Sequence, residues 1–468
     1  MRFNWEYIKK KFSWSGLSLL IIAVALIWSM FNIKLWKVGE KCTRAVINQD
    51  VSNYYAYLPA AFIYKDLSFQ FAVKDAQKFG ADCMIWPVPV EDKEDAYVIK
   101  MSMGLSYMYL PFFLMAHGYA YYLSDYPADG FSRPYEFFLV LSSVFYLILG
   151  FYFLRTMLLK YFKDGVVAAV LLITLFGTNL YYYGSTEPAM SHAYSFTLYV
   201  LFAYFSILWI EKGSWKFSLG IGLIGGLIVL IRPVNILVFV FPLLFDVKSL
   251  EDLKERFKFA FSNYIHLLII ALSGFIILFP QLLFWKINSG HWVYYSYSDE
   301  HFFFNNPHIL DGLFSYRKGW LVYTPIMIFA LIGVLISYFK SRKFFWPLFI
   351  FLPIHFYVIF SWWCWWYGGS FGSRPMIETY AFLAFPLAVF ISYISKHWAG
   401  IVSFSLVAIL LTGLNLFQTA RYRYGSIHYH GMTKESYWIN FWDRDPVPGY
   451  WESIKEPDYD KAKKGIDT

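Results

Sequence analysis

The sequence predicts an all-α, polytopic helical membrane protein with a large external first loop, and three observations predict it. Only 15% of the 468 residues are charged and 58% are hydrophobic, whereas soluble domains carry about 25% charged residues. Apolar runs of about 20 residues recur along the chain, the length that crosses a hydrocarbon core about 30 Å thick. The short loops between those runs concentrate Lys and Arg, as cytosolic loops of membrane proteins do. The aromatic share, 23%, exceeds what interfacial belts alone require and suggests an aromatic-rich outer surface. The net charge of +8 reads as topology. No basic stripe interleaved with stacking aromatics points to nucleic acid, and the lipid bilayer is the partner that composition implies.

The elements follow in order. The head is basic, with Arg2, Lys9, Lys10 and Lys11, and places the N-terminus in the cytosol. Residues 15–33 form the first span. It is longer than a signal-peptide core and no small-residue cleavage site follows it, so it is read as a helix. Residues 34–133 form the external loop. Within it, 75–95 is polar and broken by Trp86-Pro87-Val88-Pro89. Segment 104–123 carries Pro111, His117 and five tyrosines, which make a poor lipid-facing span. It is read as a helix in the outer interface or re-entering from it, with a full crossing as the alternative. Further spans cover 134–154, 165–183, 193–210, 217–231, 234–245, 264–285, 319–339, 345–360, 377–394 and 398–417. About eleven spans of this kind put every short basic loop inside and the C-terminus outside. Residues 1–418 form the transmembrane domain and 419–468 an external tail. Gly220, Gly222, Gly225 and Gly226 suit close helix packing rather than phosphate binding. Cys42, Cys83 and Cys364 form no metal-spaced set, and Cys42 and Cys83 either pair or stay as thiols.

With this topology the conspicuous polar motifs fall on the outer side. The first is Asn48-Gln49-Asp50-Val51-Ser52-Asn53-Tyr54-Tyr55, where a carboxylate and a row of tyrosines follow the first span. The others are Gly184 to His192, Arg232-Pro233, the loop 286–318, the Trp362 to Pro375 stretch and the tail from Arg421 to Trp451. The inner loops hold no glycine-rich phosphate loop and no dinucleotide fingerprint. The active site is therefore expected to face outward.

Several of these residues carry a resemblance. The Asp50 stretch, Lys100-Met101-Ser102-Met103-Gly104, Phe176-Gly177-Thr178-Asn179, Ile231-Arg232-Pro233, Leu313 to Trp320 and Gly368 to Arg374 together resemble the GT-C glycosyltransferases. The likeness is to bacterial relatives of protein O-mannosyltransferases and of the lipid A aminoarabinose transferase. It covers most of the chain as architecture and departs at one point, since Gln49 stands where many members carry a second acid. The resemblance implies a GT-C-like fold over 1–418 and transfer of a sugar from a polyprenyl-phosphate donor to a glycan, glycolipid or protein acceptor. The reaction would run on the external face of a bacterial inner membrane.

That chemistry needs little equipment. The phosphate leaves as a stable anion, so no general acid is required. A base near the acceptor hydroxyl and cations for the departing charge suffice, and a single displacement inverts the anomeric centre. Asp50 is the expected base. Arg317, Lys318 and Arg374, then Lys100 and Arg232, are the expected phosphate ligands, arginine being suited to bidentate contact. Tyr54, Tyr55, Glu187, His192 and Trp366 are expected to line the substrate site. No metal ligand is assigned, although a divalent metal is compatible with the reaction. His428-Tyr429-His430 could hold one only on a strand with a third ligand nearby, and reads better as surface histidines. Glu187, Glu300 and Glu378 read as solvated or interfacial acids before second catalytic ones, and the tryptophans 362–366 either stack on a sugar ring, line a lipid groove or form an aromatic belt. The alternative class is a transporter or flippase of lipid-linked sugars, which would show internal repeats and midplane charges; no repeat is visible, and His355 is the mid-span candidate.

Overall fold

The computed structural model describes residues 13–39, 45–75, 85–91 and 93–466. Cys42 and Cys83 lie outside them. The chain is a polytopic bundle of helices. Seven of the described helices are long and apolar enough to cross a membrane: Trp14–Lys37, Arg133–Leu158, Ser191–Lys212, Tyr264–Ser289, Arg342–Phe360, Arg374–Ile394 and Trp398–Arg423. Four shorter apolar helices, Asp164–Phe176, Trp215–Ile231, Pro233–Leu244 and Pro325–Lys340, occupy the remaining apolar runs. Arg374–Ile394 is the most enclosed of the seven, 83% buried, and Trp398–Arg423 the least, 11%. The first is apolar all round and lies at the centre; the second presents its apolar face outward.

One end of the bundle gathers the basic loops. Asp164 accepts from the backbone N–H of Trp14 at 2.6 Å and from the Ser13 hydroxyl at 2.8 Å. Arg155 donates through Nε to the Ser15 hydroxyl at 2.8 Å. Lys160 pairs with Glu211 at 2.8 Å, and the Asp246 N–H meets the Lys343 carbonyl at 3.1 Å. These contacts bind four connections and the start of the first helix at one level. The other ends of the same helices therefore come together at the opposite level, where Ile33, Gly104, Ser191, Ile231, Phe360 and Arg374 lie. Helix spacing is set by glycine. A Cβ on Gly222 would stand 2.4 Å from the Ile270 carbonyl and one on Gly226 2.8 Å from that of Gly274, so Trp215–Ile231 packs directly on Tyr264–Ser289 as the glycine run predicts.

The first loop folds against the second level. It contains the short helix Gln49–Tyr55, a two-stranded antiparallel hairpin of β1 (Pro87–Pro89) and β2 (Tyr97–Ile99), and the helix Gly104–Tyr122. That helix begins under Arg232: a Cβ on Gly104 would lie 2.7 Å from the Ile231 nitrogen. The final long helix runs to Arg423, past the expected domain boundary at 418, before the tail turns back over the loops.

Candidate active site

Asp50 sits in the first turn of Gln49–Tyr55. The residue before it, Gln49, has φ +43°, a left-handed conformation that is rare for a residue with a side chain. Two fully buried side chains hold it there, because the Gln49 carbonyl accepts from the Ser52 hydroxyl at 2.7 Å and from the Asn53 amide at 2.8 Å. Asn53 in turn accepts from the Trp86 N–H at 3.0 Å, which fastens the turn to the hairpin. Strain of this kind persists only where the surroundings over-determine it. Here it aims the Asp50 carboxylate across to the loop that precedes Arg374.

That loop turns sharply. Tyr367, Gly368 and Gly372 all have positive φ, near +60°. Asn179, fully buried, donates to the Phe371 carbonyl at 3.1 Å and accepts from the Tyr380 hydroxyl at 2.7 Å. The Tyr183 hydroxyl accepts from the Phe371 N–H at 3.0 Å. The loop is therefore flexible in composition but pinned in place, and it delivers Arg374 to Asp50 with Nη1 3.2 Å from Oδ2. The Nε of Arg374 is buried and has no partner among the described residues.

Asp50, Arg374 and Glu187 share the wall of a cavity of about 300 Å³, together with Asn48, Gln49, Met190, Gly368 and Gly369. Glu187 accepts from the Tyr182 hydroxyl at 2.9 Å. Burial raises its carboxyl above the ordinary value, opposed by Tyr182, Arg374 and Lys318.

A second layer lies beside the cavity. Arg232 faces Glu378, Nη1 to Oε1, at 3.8 Å, and its Nη2 lies 3.3 Å from both the Ser191 hydroxyl and His192 Nε2. His192 turns its Nδ1 to the same Glu378 oxygen at 3.3 Å. Glu378 is 1% exposed, so it is neither solvated nor interfacial, contrary to expectation. It belongs to the same short helical stretch as Arg374, and it neutralises Arg232 because a lone charge at this depth is expensive. Tyr54 is buried in the field of Arg232, Asp50 and Arg374, with its hydroxyl at Ser191.

The other expected residues are placed apart. Lys100 pairs with Glu300 and lies over the Tyr297 ring. Tyr55 is fully buried, packs on Phe113 and Phe131, and donates to the Gly130 carbonyl. Lys318, 2% exposed, donates to the backbone carbonyls of Ser370 and Tyr429; burial pushes its ammonium well below the ordinary value. It pins the glycine loop from beneath and does not line the cavity. Trp366 is 1% exposed in a small core with Trp363, Trp365 and the tail residue Ala462, with the Arg317 guanidinium 5.3 Å from its ring. The tryptophans therefore form packing for the tail rather than a belt. Asn179 and the Ser52–Asn53 pair were the positioning residues that sequence reasoning missed. Their one signal was a polar amide within or beside an apolar run, which must find a partner when buried.

No family model matches the chain, and no curated protein matches it. Solved structures do. The chain superposes on the archaeal oligosaccharyltransferase AglB from Archaeoglobus fulgidus, solved in complex with an inhibitory peptide and a dolichol-phosphate. The TM-score is 0.52 at 13% identity, covering 97% of this chain and 61% of that one. At this identity the likeness is one of fold. A structure of the Archaeoglobus fulgidus oligosaccharyltransferase with Zn and sulfate gives TM-score 0.50 at 13% identity, over 93% of this chain and 56% of that one. Its apo form gives 0.50 over 95% and 60%. The chain spans about three fifths of the length of these structures, 61%, 56% and 60% in turn.

Proposed function

We propose that the protein is a membrane glycosyltransferase that moves a sugar from a polyprenyl-phosphate donor to an acceptor hydroxyl, with Asp50 as base. The observation that carries the reading is the pairing of Asp50 with Arg374 on the wall of one cavity. The acceptor oxygen attacks the anomeric carbon, its proton passes to the Asp50 carboxylate, and the bond to phosphate breaks with its electron pair staying on the phosphate. Arg374 holds that anion. In the resting structure its guanidinium is neutralised by Asp50, so an arriving phosphate competes for it and frees the carboxylate for the acceptor. Arg232 and Tyr54 form the floor beneath and hold Ser191 and His192 in place. The dolichol-phosphate bound by the archaeal structure supports a lipid-phosphate donor, and the sidedness expected from the basic loops supports an external reaction.

The cavity is not built for a metal as it stands. Its two carboxylates are Asp50, already paired with a guanidinium, and Glu187, hydrogen-bonded to Tyr182, and no step above needs one.

Purified protein incubated with radiolabelled polyprenyl-phosphate hexoses and envelope glycolipids tests the reading. Labelled acceptor is the expected product, lost in Asp50→Asn. Movement of labelled lipid across proteoliposomes without transfer would replace the enzyme with a transporter.

A further inference from the structure

The tail carries a cluster that the proposed reaction does not use. His428 and His430 are buried, with side chains 8% and 11% exposed, and Glu456 reaches them from a separate segment of the tail. One donor atom from each of the three lies within 4.8 Å of the others, and among the described residues this is the one such group of three or more. The histidines are not on a strand; the chain bends through 426–430. The bend brings the two rings to 5.4 Å, and both turn Nε2 toward the Glu456 carboxylate. The backbone holds this arrangement on its own, since the Lys455 N–H donates to the Gly431 carbonyl at 3.0 Å and the Thr433 hydroxyl to that of Ser453 at 2.9 Å.

We propose that His428, His430 and Glu456 form a zinc-binding site that fastens the tail to the glycine loop. Two imidazoles and a carboxylate are a donor set that suits zinc, with water in the fourth position. Glu456 is 60% exposed, so the open side faces solvent and gives the ion an entry path. Tyr459 supplies the outer support: its hydroxyl lies 3.0 Å from His430 Nδ1, which fixes the ring and leaves Nε2 for the metal. His428 must rearrange its proton. Its Nδ1 now accepts the Gly431 N–H at 3.0 Å, so ligation through Nε2 moves the ring proton to Nδ1 and gives up that single hydrogen bond for a coordination bond. The consequence reaches the cavity, because the Tyr429 carbonyl between the two ligands accepts from both the Ser370 N–H at 3.2 Å and Lys318. Ordering residues 428–430 thus orders the loop that carries Gly368, Gly369 and Arg374.

The test needs no enzymatic activity. Detergent-purified full-length protein, stripped with a chelator, is titrated with Zn²⁺ by calorimetry and with Co²⁺ by visible spectroscopy. One equivalent per chain, a tetrahedral cobalt band and a raised Tm are expected. His430→Ala and Glu456→Gln should abolish all three, and Tyr459→Phe should weaken binding by roughly 10–100-fold. The double variant Asp50→Asn with Glu187→Gln should still bind one equivalent. Loss of zinc there, with retention in His430→Ala, would put the metal in the cavity and overturn the proposal. So would a wild-type protein that takes up no zinc, which would leave the three residues as a hydrogen-bonded latch.

Discussion

Arg232-Pro233 and Arg374-Pro375 are the same dipeptide in two settings. Proline lacks an N–H and fixes φ; Pro233 interrupts an apolar run after Trp215–Ile231 and Pro375 starts the helix after the glycine loop, and each opens a 3₁₀ stretch, Pro233–Phe239 and Arg374–Thr379. Arg232 turns inward to Glu378, an acid 1% exposed, with His192 and Ser191 on its other nitrogen. Arg374 turns to Asp50, 22% exposed in the first turn of Gln49–Tyr55, and keeps its Nε without a partner among the described residues. The difference decides which arginine can serve a substrate. The two arginines are similarly enclosed, 17% and 14% exposed, so the difference lies in the acids: a sealed acid is left uncompensated when its pair opens, whereas one on a cavity wall can be solvated. On the proposed mechanism Arg374 is the exchangeable cation and Arg232 the fixed one.

The largest expected effect tests the exchangeable pair. Asp50→Asn should fold, bind donor and lose turnover by roughly 10²–10⁴-fold, the range of a general base, in a labelled-donor assay. The control is Asp66→Asn. Asp66 accepts from the Ser68 and Phe71 N–H groups, both at 2.9 Å, a turn role that asparagine largely keeps, so this variant should leave turnover intact. The reverse result would put the base on the wrong carboxylate.

Stability separates the two arginines next. Arg232→Ala should destabilise by about 3–5 kcal/mol, the cost of breaking a buried pair and leaving Glu378 with His192 alone, and Arg374→Ala by less, because Asp50 lies on the cavity wall where water can reach it. Equal losses in denaturant titrations would erase the distinction. Arg374→Lys should then raise the donor KM by roughly tenfold, the loss of one charge-assisted hydrogen bond. Full activity would argue against bidentate contact.

The smallest effect is a pH signature at Glu187. Its carboxyl is raised by burial in the folded protein. A raised acid favours the fold below its unfolded value, about 4.3, and that contribution is lost as pH rises through the folded value. Glu187→Gln should therefore raise Tm at neutral pH and make no difference near pH 4. A shift independent of pH would show that Glu187 is not held by burial.

How much of this was legible can be judged residue by residue. The apolar runs became helices at nearly the expected positions because length and hydropathy fix a span locally. Asp50, Glu187 and Arg374 were named from type, place in the chain and the family resemblance, and they line one cavity. Lys318 and Trp366 came from the same reasoning and lie outside it. A cation or an aromatic ring in an outer loop looks the same whether it faces a cavity or pins a tail. His428 and His430 were read as surface residues because Glu456, their partner, is distant in sequence.

The sequence by itself determined the class: a helical membrane chain, its spans, its helix-packing glycines and the end at which its polar motifs collect. These follow from local periodicity and the thickness of a bilayer. Tertiary structure alone decided the pairings. Asp50 meets Arg374, Arg232 meets Glu378, and Asn179 holds the glycine loop, each joining residues more than a hundred positions apart. Nothing local encodes such contacts. They arise because buried charges and amides must be satisfied, and only the packed bundle shows which partner is within reach.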